Sequence, residues 1–271
     1  MLPLSACAPN DQEAKELELA TSNYEDAIAI HYLAKAVLEN DMDYDVDMTH
    51  ADLGAIFTSL ADGDLDAYLA TWLPVTHGSY MDDHGENLED LGTTYEGATL
   101  GFAVPDYVDI DSITELNEYS DEFNDEIVGI DSGAGLMELS EEAEEEYDLD
   151  LELVYSSDHA MTATLEDAYE NEEGIVVTGW TPHMKFARMD LKFLDDPEGV
   201  FGEEEDVYVR AKEGFQEDNP EAAEFFENIY LTDEEYGDLI DVFDQHDEGE
   251  EIEAAEAWIE DNREVVEEWI P

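Results

Sequence analysis

Seventy-seven acidic residues stand against eight basic ones in this 271-residue chain, a formal net charge of −69. Such a charge strains a compact fold in dilute buffer through self-repulsion. In salt of about 1 M the Debye length falls to roughly 3 Å and the repulsion is largely screened. The acids are spread over the whole length and lysine is almost absent. The chain therefore reads as one adapted to near-saturated salt, with carboxylates keeping its surface hydrated. A dedicated calcium store would show acidic repeats with few aromatics. Here 43% of residues are hydrophobic and the aromatics sit in patterned segments. That is enough to build cores, and it argues against wholesale disorder. Eight cations cannot make a continuous basic patch, which excludes general nucleic-acid binding and docking on anionic lipid. No apolar run is long enough to span a bilayer.

The pattern along the chain alternates strand and helix. Glu16–Ala20 and Tyr44–Met48 alternate polar and apolar residues, as strands do. Between them Ala27, Ile28, Ile30, Leu33, Ala34, Val37 and Leu38 recur at helical spacing. A short helix over 52–61, a turn at Asp62-Gly63-Asp64 and a buried strand over Leu65–Leu73 follow. Further strands are expected at Thr99–Val104, Glu126–Ile130, 149–155, Gly174–Thr178 and Val207–Arg210, with helices after Gly135, at 160–170 and from about 219 onward. Strands separated by helices imply parallel sheets with crossovers. The expected architecture is α/β with two lobes, each a mostly parallel sheet flanked by helices. One lobe takes 15–105 plus about 206–271, the other 106–205.

Enzyme motifs fail. Gly133-Ala134-Gly135 is followed by Glu138 where a dinucleotide fingerprint needs glycine. Ser132 lacks the frame of a hydrolase elbow. Asp62, Asp64 and Asp66 begin like a calcium loop, but Ala67 and Leu73 occupy the glycine and glutamate positions. The seven histidines show no zinc spacing, so no metal site is expected. The single cysteine, Cys7, ends Leu4-Ser5-Ala6-Cys7, which looks like a lipobox. Residues 1–14 thus read as a lipobox remnant and tether, with Cys7 acylated.

Two tryptophans carry more information. Ala70-Thr71-Trp72-Leu73-Pro74 and Thr178-Gly179-Trp180-Thr181-Pro182 share Trp-x-Pro at a strand end, one in each lobe. Ligands in open α/β sheets bind beyond the carboxyl ends of strands. Thr21-Ser22-Asn23-Tyr24 and Asp131-Ser132-Gly133-Ala134-Gly135 occupy the other ends. Three rings around one cleft suit a quaternary ammonium, at about 0.5–2 kcal/mol per desolvated ring. Hydrated sodium and potassium would have to shed tightly held water to enter; a methylated ammonium would not. A lone strand-end tryptophan would simply be core, but two in matching positions favour the cleft.

These segments resemble the glycine betaine-binding proteins of ABC importers. The resemblance is strongest over Thr178–Phe186 and Asp190–Pro197. It extends to Trp72–His77, Ile130–Met137, Ser156–Leu165 and Ala257–Trp269, in family order over about 15–270. It implies a two-lobed, periplasmic-binding-protein-like fold (type II) with its ligand in the cleft and no chemistry performed. Tyr24, Trp72 and Trp180 match the family's aromatic box, Tyr24 standing where the family commonly has tryptophan. His77 and the backbone N–H groups of Gly135 and Leu136 match the carboxylate contacts. His183 is expected to be structural. The resemblance further implies glycine betaine or a related betaine as ligand, an ABC permease as partner and no cofactor. It also implies a monomer on the extracytoplasmic face, held to the membrane only by a lipid. Choline is the alternative ligand, since it presents the same head without needing His77. A halophilic enzyme on a borrowed fold is the reading from another class, and no nucleophile–base pair supports it. Five of the eight basic residues fall at Lys185, Arg188, Lys192, Arg210 and Lys212, which points to internal salt bridges.

Overall fold

A computed structural model describes residues 15–247 and 249–271. The Cys7 lipobox and the tether lie outside the described residues. Strand β1 (Lys15–Thr21) leads into helix α1 (Glu25–Asp41), whose Ala27, Ile30, Leu33, Ala34, Val37 and Leu38 are all buried. Strand β2 (Tyr44–His50) and helix α2 (Leu53–Asp62) follow. The turn after α2 rests on Gly63, at φ 82°, whose N–H bonds the Leu60 and Ser59 carbonyls. That left-handed cap is the conformation glycine tolerates best. Strand β3 (Ala67–Leu73) is buried up to its last residue. Next come α3 (Gly78–His84), the 18-residue β4 (Leu88–Pro105), β5 (Glu126–Val128), α4 (Gly135–Glu146), β6 (Glu152–Val154) and α5 (Asp158–Glu170). They are followed by β7 (Val177–Thr181), α6 (Met184–Arg188), β8 (Leu191–Phe193) and β9 (Glu205–Lys212). Five helices complete the chain: α7 (Phe215–Asp218), α8 (Pro220–Asn228), α9 (Asp233–Asp244), α10 (Glu251–Asp261) and α11 (Arg263–Trp269).

The strands run in the order β2-β1-β3-β9-β4-β7-β5-β6, with β8 also on β4. The expected α/β architecture is present, but the sheet is mixed: four ladders are parallel and four antiparallel. The antiparallel ones all involve β4 or β9. Strand β4 pairs with β9 as far as Ala98 and with β7 from Thr99, so it passes from one lobe into the other without a break. The expected lobe edge at 105/106 falls at the end of this strand, after the ladder has already changed partners. The first half of β4 was not expected as strand. Its Gly92 and Gly97 have positive φ, and they sit where the register with β9 slips. These two glycines mark the bulges of one long strand.

Helix α9 packs on both α1 and α6. Arg188 of α6 pairs with Asp244 of α9 and reaches Glu166 of α5. Lys192–Asp111, Arg210–Asp90 and Lys212–Asp66 pair as well. So do Lys15–Glu221, Lys35–Glu39 and Arg263–Asp41. Seven of the eight cations are thus paired, and they meet only a small share of the 77 acids. The remaining repulsion is a surface effect that salt can screen. The melting temperature is therefore expected to be higher in about 1 M than in about 0.1 M potassium chloride, where the Debye length is about 3 against 10 Å. A circular-dichroism melt that does not move between the two would contradict this account of the charge.

Candidate functional site

Tyr24, Trp72, His77, Leu136 and Trp180 line one cavity, together with Asp26, Tyr68, Thr76, Leu100 and Ile130. It encloses about 370 Å³, part of it open to solvent. Gly135 does not line it but lies directly behind. A Cβ on Gly135 would come 1.7 Å from the Thr76 carbonyl oxygen. Only glycine allows the start of α4 to approach the β3–α3 loop so closely.

Each aromatic ring is set by the element that carries it. Tyr24 caps α1 in extended conformation, and its hydroxyl donates to Asp131 Oδ2 at 2.9 Å. Burial and that carboxylate keep the phenol protonated. Trp180, in β7, donates its indole N–H to Asp26 Oδ1 at 3.1 Å. Its ring meets Tyr24 edge-on at 6.0 Å and His183 at 4.5 Å. Trp72, in β3, is 6% exposed. The prolines following both tryptophans have cis peptide bonds.

His77 closes a tight turn back onto Trp72. Its backbone N–H donates to the Trp72 carbonyl, and the Trp72 N–H donates to His77 Nδ1 at 2.9 Å. With Nδ1 accepting, the proton of the neutral ring sits on Nε2, which is left as a donor. Burial lowers the imidazole to about 3, so it is uncharged at neutral pH. The loop is held from beneath by Glu205, a wholly buried carboxylate that accepts from the Val75 and Thr76 N–H groups and the Thr76 hydroxyl. Opposite, Gly135 and Leu136 open α4, and the first N–H groups of a helix have no intrahelical acceptor. Such an end favours an anion.

A second cluster lies behind Trp180. Glu25, Asp158 and His183 come within reach of one another as metal ligands would. Both His183 nitrogens are engaged, however. Nδ1 accepts from the Lys185 N–H, capping α6, and Nε2 lies 3.0 Å from Asp158 Oδ1. This is the structural role expected of His183. The cation in the cluster is Lys185, which is wholly buried. Burial, and after it the charge of nearby Asp158, raise Asp26 and Glu25, each to about 7.

Sequence reasoning missed Asp26, Glu205 and Lys185. In so acidic a chain a carboxylate carries no signal until its burial is known, and Lys185 looked like one more salt-bridge partner.

Residues 15–261 match the family described as the substrate binding domain of ABC-type glycine betaine transport systems. Among curated proteins the chain is similar to a glycine betaine/carnitine transport binding protein, GbuC, of Listeria monocytogenes. It is 39% identical over 155 residues, 56% of this chain and 51% of that one. The chain thus spans about half the length of that relative. Among solved structures it is similar to the glycine betaine, L-proline ABC transporter binding protein ProX of Borrelia burgdorferi. The TM-score is 0.90 at 34% identity, covering 95% of this chain and 97% of that one. It is also similar to lactococcal OpuAC in its closed, glycine betaine-bound form. There the TM-score is 0.88 at 32% identity, covering 95% and 100%.

Replacing Glu205 with alanine leaves the buried Thr76 N–H and the partly buried Val75 N–H without an acceptor, at about 1–3 kcal/mol for a buried group. Glu205→Ala is expected to lower the unfolding free energy by about 2–4 kcal/mol and to speed hydrogen exchange at Val75 and Thr76. Denaturant titration in high salt and exchange mass spectrometry read the two effects. Unchanged exchange at these amides would mean that Glu205 does not hold the loop.

Proposed function

The chain belongs to the family of substrate-binding domains of ABC-type glycine betaine transport systems, and on that premise we propose that it captures glycine betaine or a close relative for an ABC permease. Members of this family bind solute and are not enzymes. One observation carries the choice of ligand: three aromatic rings and a neutral histidine N–H donor share one cavity, with a helix N-terminus behind it. Tyr24, Trp72 and Trp180 would receive the trimethylammonium group, which has no N–H to donate and is held by ring faces instead. The carboxylate would accept from His77 Nε2–H and from the backbone N–H groups of Gly135 and Leu136.

Closure fits the same reading. Tyr24–Asp131 and Trp180–Asp26 join residues of the first lobe to residues of the second, as do Tyr80–Gly133 and Ser79–Glu138. A ligand that binds both lobes favours their closed arrangement. We divide the lobes as 15–105 plus about 206–271 and 106–205. No helix among the described residues is long and apolar enough to cross a membrane. Proteins of this class work outside the cytoplasm. The chain is assigned to that side as a monomer, and acylation of Cys7 would hold it to the membrane.

Calorimetric titration of the folded chain in molar potassium chloride tests this reading. Glycine betaine is expected to saturate one site, and Trp72→Ala and Trp180→Ala each to lose about 1–2 kcal/mol of binding. Unchanged affinity in both variants would remove the cage. His77→Ala separates the carboxylate ligand from choline. It is expected to cost betaine about 1.5–3 kcal/mol, as for a hydrogen bond to a charged group, and to leave any choline binding alone. A strong choline response that is indifferent to His77, with none to betaine, would reassign the ligand to choline.

A further inference from the structure

Among the described residues, seven of the eight basic residues make ion pairs and Lys185 makes none. It is wholly buried, and its ammonium has no hydrogen-bond acceptor among the described residues. Nζ lies instead 3.6 Å from the centroid of the Trp180 ring. Lys185 is not among the residues lining the aromatic cavity, so it reaches the indole from outside it. The backbone N–H of Lys185 is bonded to His183 Nδ1, which fixes the start of the side chain. Asp158, Glu25 and Asp26 attract the ammonium and oppose the desolvation that lowers it, to about 8. It remains mostly charged at neutral pH.

Trp180 is thus a ring with a cation already seated on it. The attraction of an indole for a cation comes from the negative charge of its faces. A second cation meets a ring whose electrons are drawn toward the first, and it feels the like charge beyond. The interaction cannot be counted twice at full strength.

We propose that Lys185 sets the affinity of the cavity: its ammonium on Trp180 weakens that ring's hold on a quaternary ammonium ligand and narrows the preference for a cation over a neutral group of the same shape. This rests on the betaine reading above. It makes Lys185 a positioning residue that acts through Trp180 without touching ligand.

The test compares glycine betaine with 3,3-dimethylbutanoate, which keeps the carboxylate and the shape but has carbon in place of the ammonium nitrogen. Both are titrated into the full chain as wild type, Lys185→Met and Lys185→Met/Glu25→Gln. The double variant removes one acid with the cation, so the net charge of the cluster is kept. Betaine is expected to tighten about fivefold in both variants, the scale of one cation–π contact, and the isostere, an anion with an uncharged head, not to tighten. Betaine affinity that is equal or weaker in a folded variant overturns the proposal. So does an equal gain for the isostere, which would mean simple repacking. If neither variant folds, the wild type decides near pH 8, where Glu25 and Asp26 are mostly ionised, Asp158 and His183 have long given up their protons, and Arg188 stays charged. Calorimetry in two buffers should then find protons released on binding betaine and not on binding the isostere. No release overturns the proposal. A folded wild type that does not bind betaine at all would instead overturn the betaine reading, and this inference with it.

Discussion

The hydrogen bond from the Trp180 indole to Asp26 is the contact on which the rest of the site depends. It joins the end of β7 in one lobe to the first turn of α1 in the other. It fixes the plane of a ring that Tyr24 meets from one side and His183 from another. It also commits a carboxylate to a position 4% exposed. Burying a charge of that kind is costly unless it is paired and hydrogen-bonded. The indole N–H supplies one bond and the Lys185 ammonium a nearby opposite charge. Burial nevertheless raises Asp26 to about 7, so compensation is incomplete. The Trp180 wall of the cavity is therefore built on a carboxylate whose charge is finely balanced near neutrality.

This balance has a particular meaning in a chain with eight cations. Seven of them are paired, some across elements far apart in sequence: Arg188 ties α6 to α9, and Arg263 ties α11 to the end of α1. The eighth is placed where Asp26, which lines the aromatic cavity, converges with Glu25 and Asp158. Surface acids can rely on salt to screen them, because they face solvent. Asp26 and Asp158 cannot, because they are buried. A buried acid cluster is the one place in such a protein where a cation cannot be replaced by potassium from the medium.

Much of this was legible in the sequence, and the parts that were not share a cause. Helix α1 and strand β1 follow from periodicity, and the Trp-x-Pro segments mark both strand ends that reach the cavity. Tyr24 and Trp72 were legible as strand ends, His77 and Leu136 through the family resemblance, and all four line one cavity. The antiparallel ladders were not, because nothing local in Leu88–Ala98 or Glu205–Lys212 says that these strands return across the sheet. Gly92 and Gly97 lie where the register slips, which nothing local in the sequence announces. Gly135 was legible as a residue of the turn, while its reason for being glycine, the Thr76 carbonyl 1.7 Å from an added Cβ, exists only between lobes. Asp26, Glu205 and Lys185 are ordinary letters whose roles arise from burial alone.

Tyr24 shows how composition and closure meet. The family resemblance implies tryptophan at this position, whose ring offers the better cation–π face. Tyrosine gives up some of that attraction and gains a hydroxyl, which here donates to Asp131 across the cleft. The ring is thereby oriented by the second lobe although it is carried by the first. Of the three aromatic walls, Trp72 belongs to the first lobe and Trp180 to the second. Tyr24 takes its position from the first lobe and its orientation from the second. As proposed, the cage would be complete only when the lobes meet, so that forming the cation site and closing the protein would be one event rather than two.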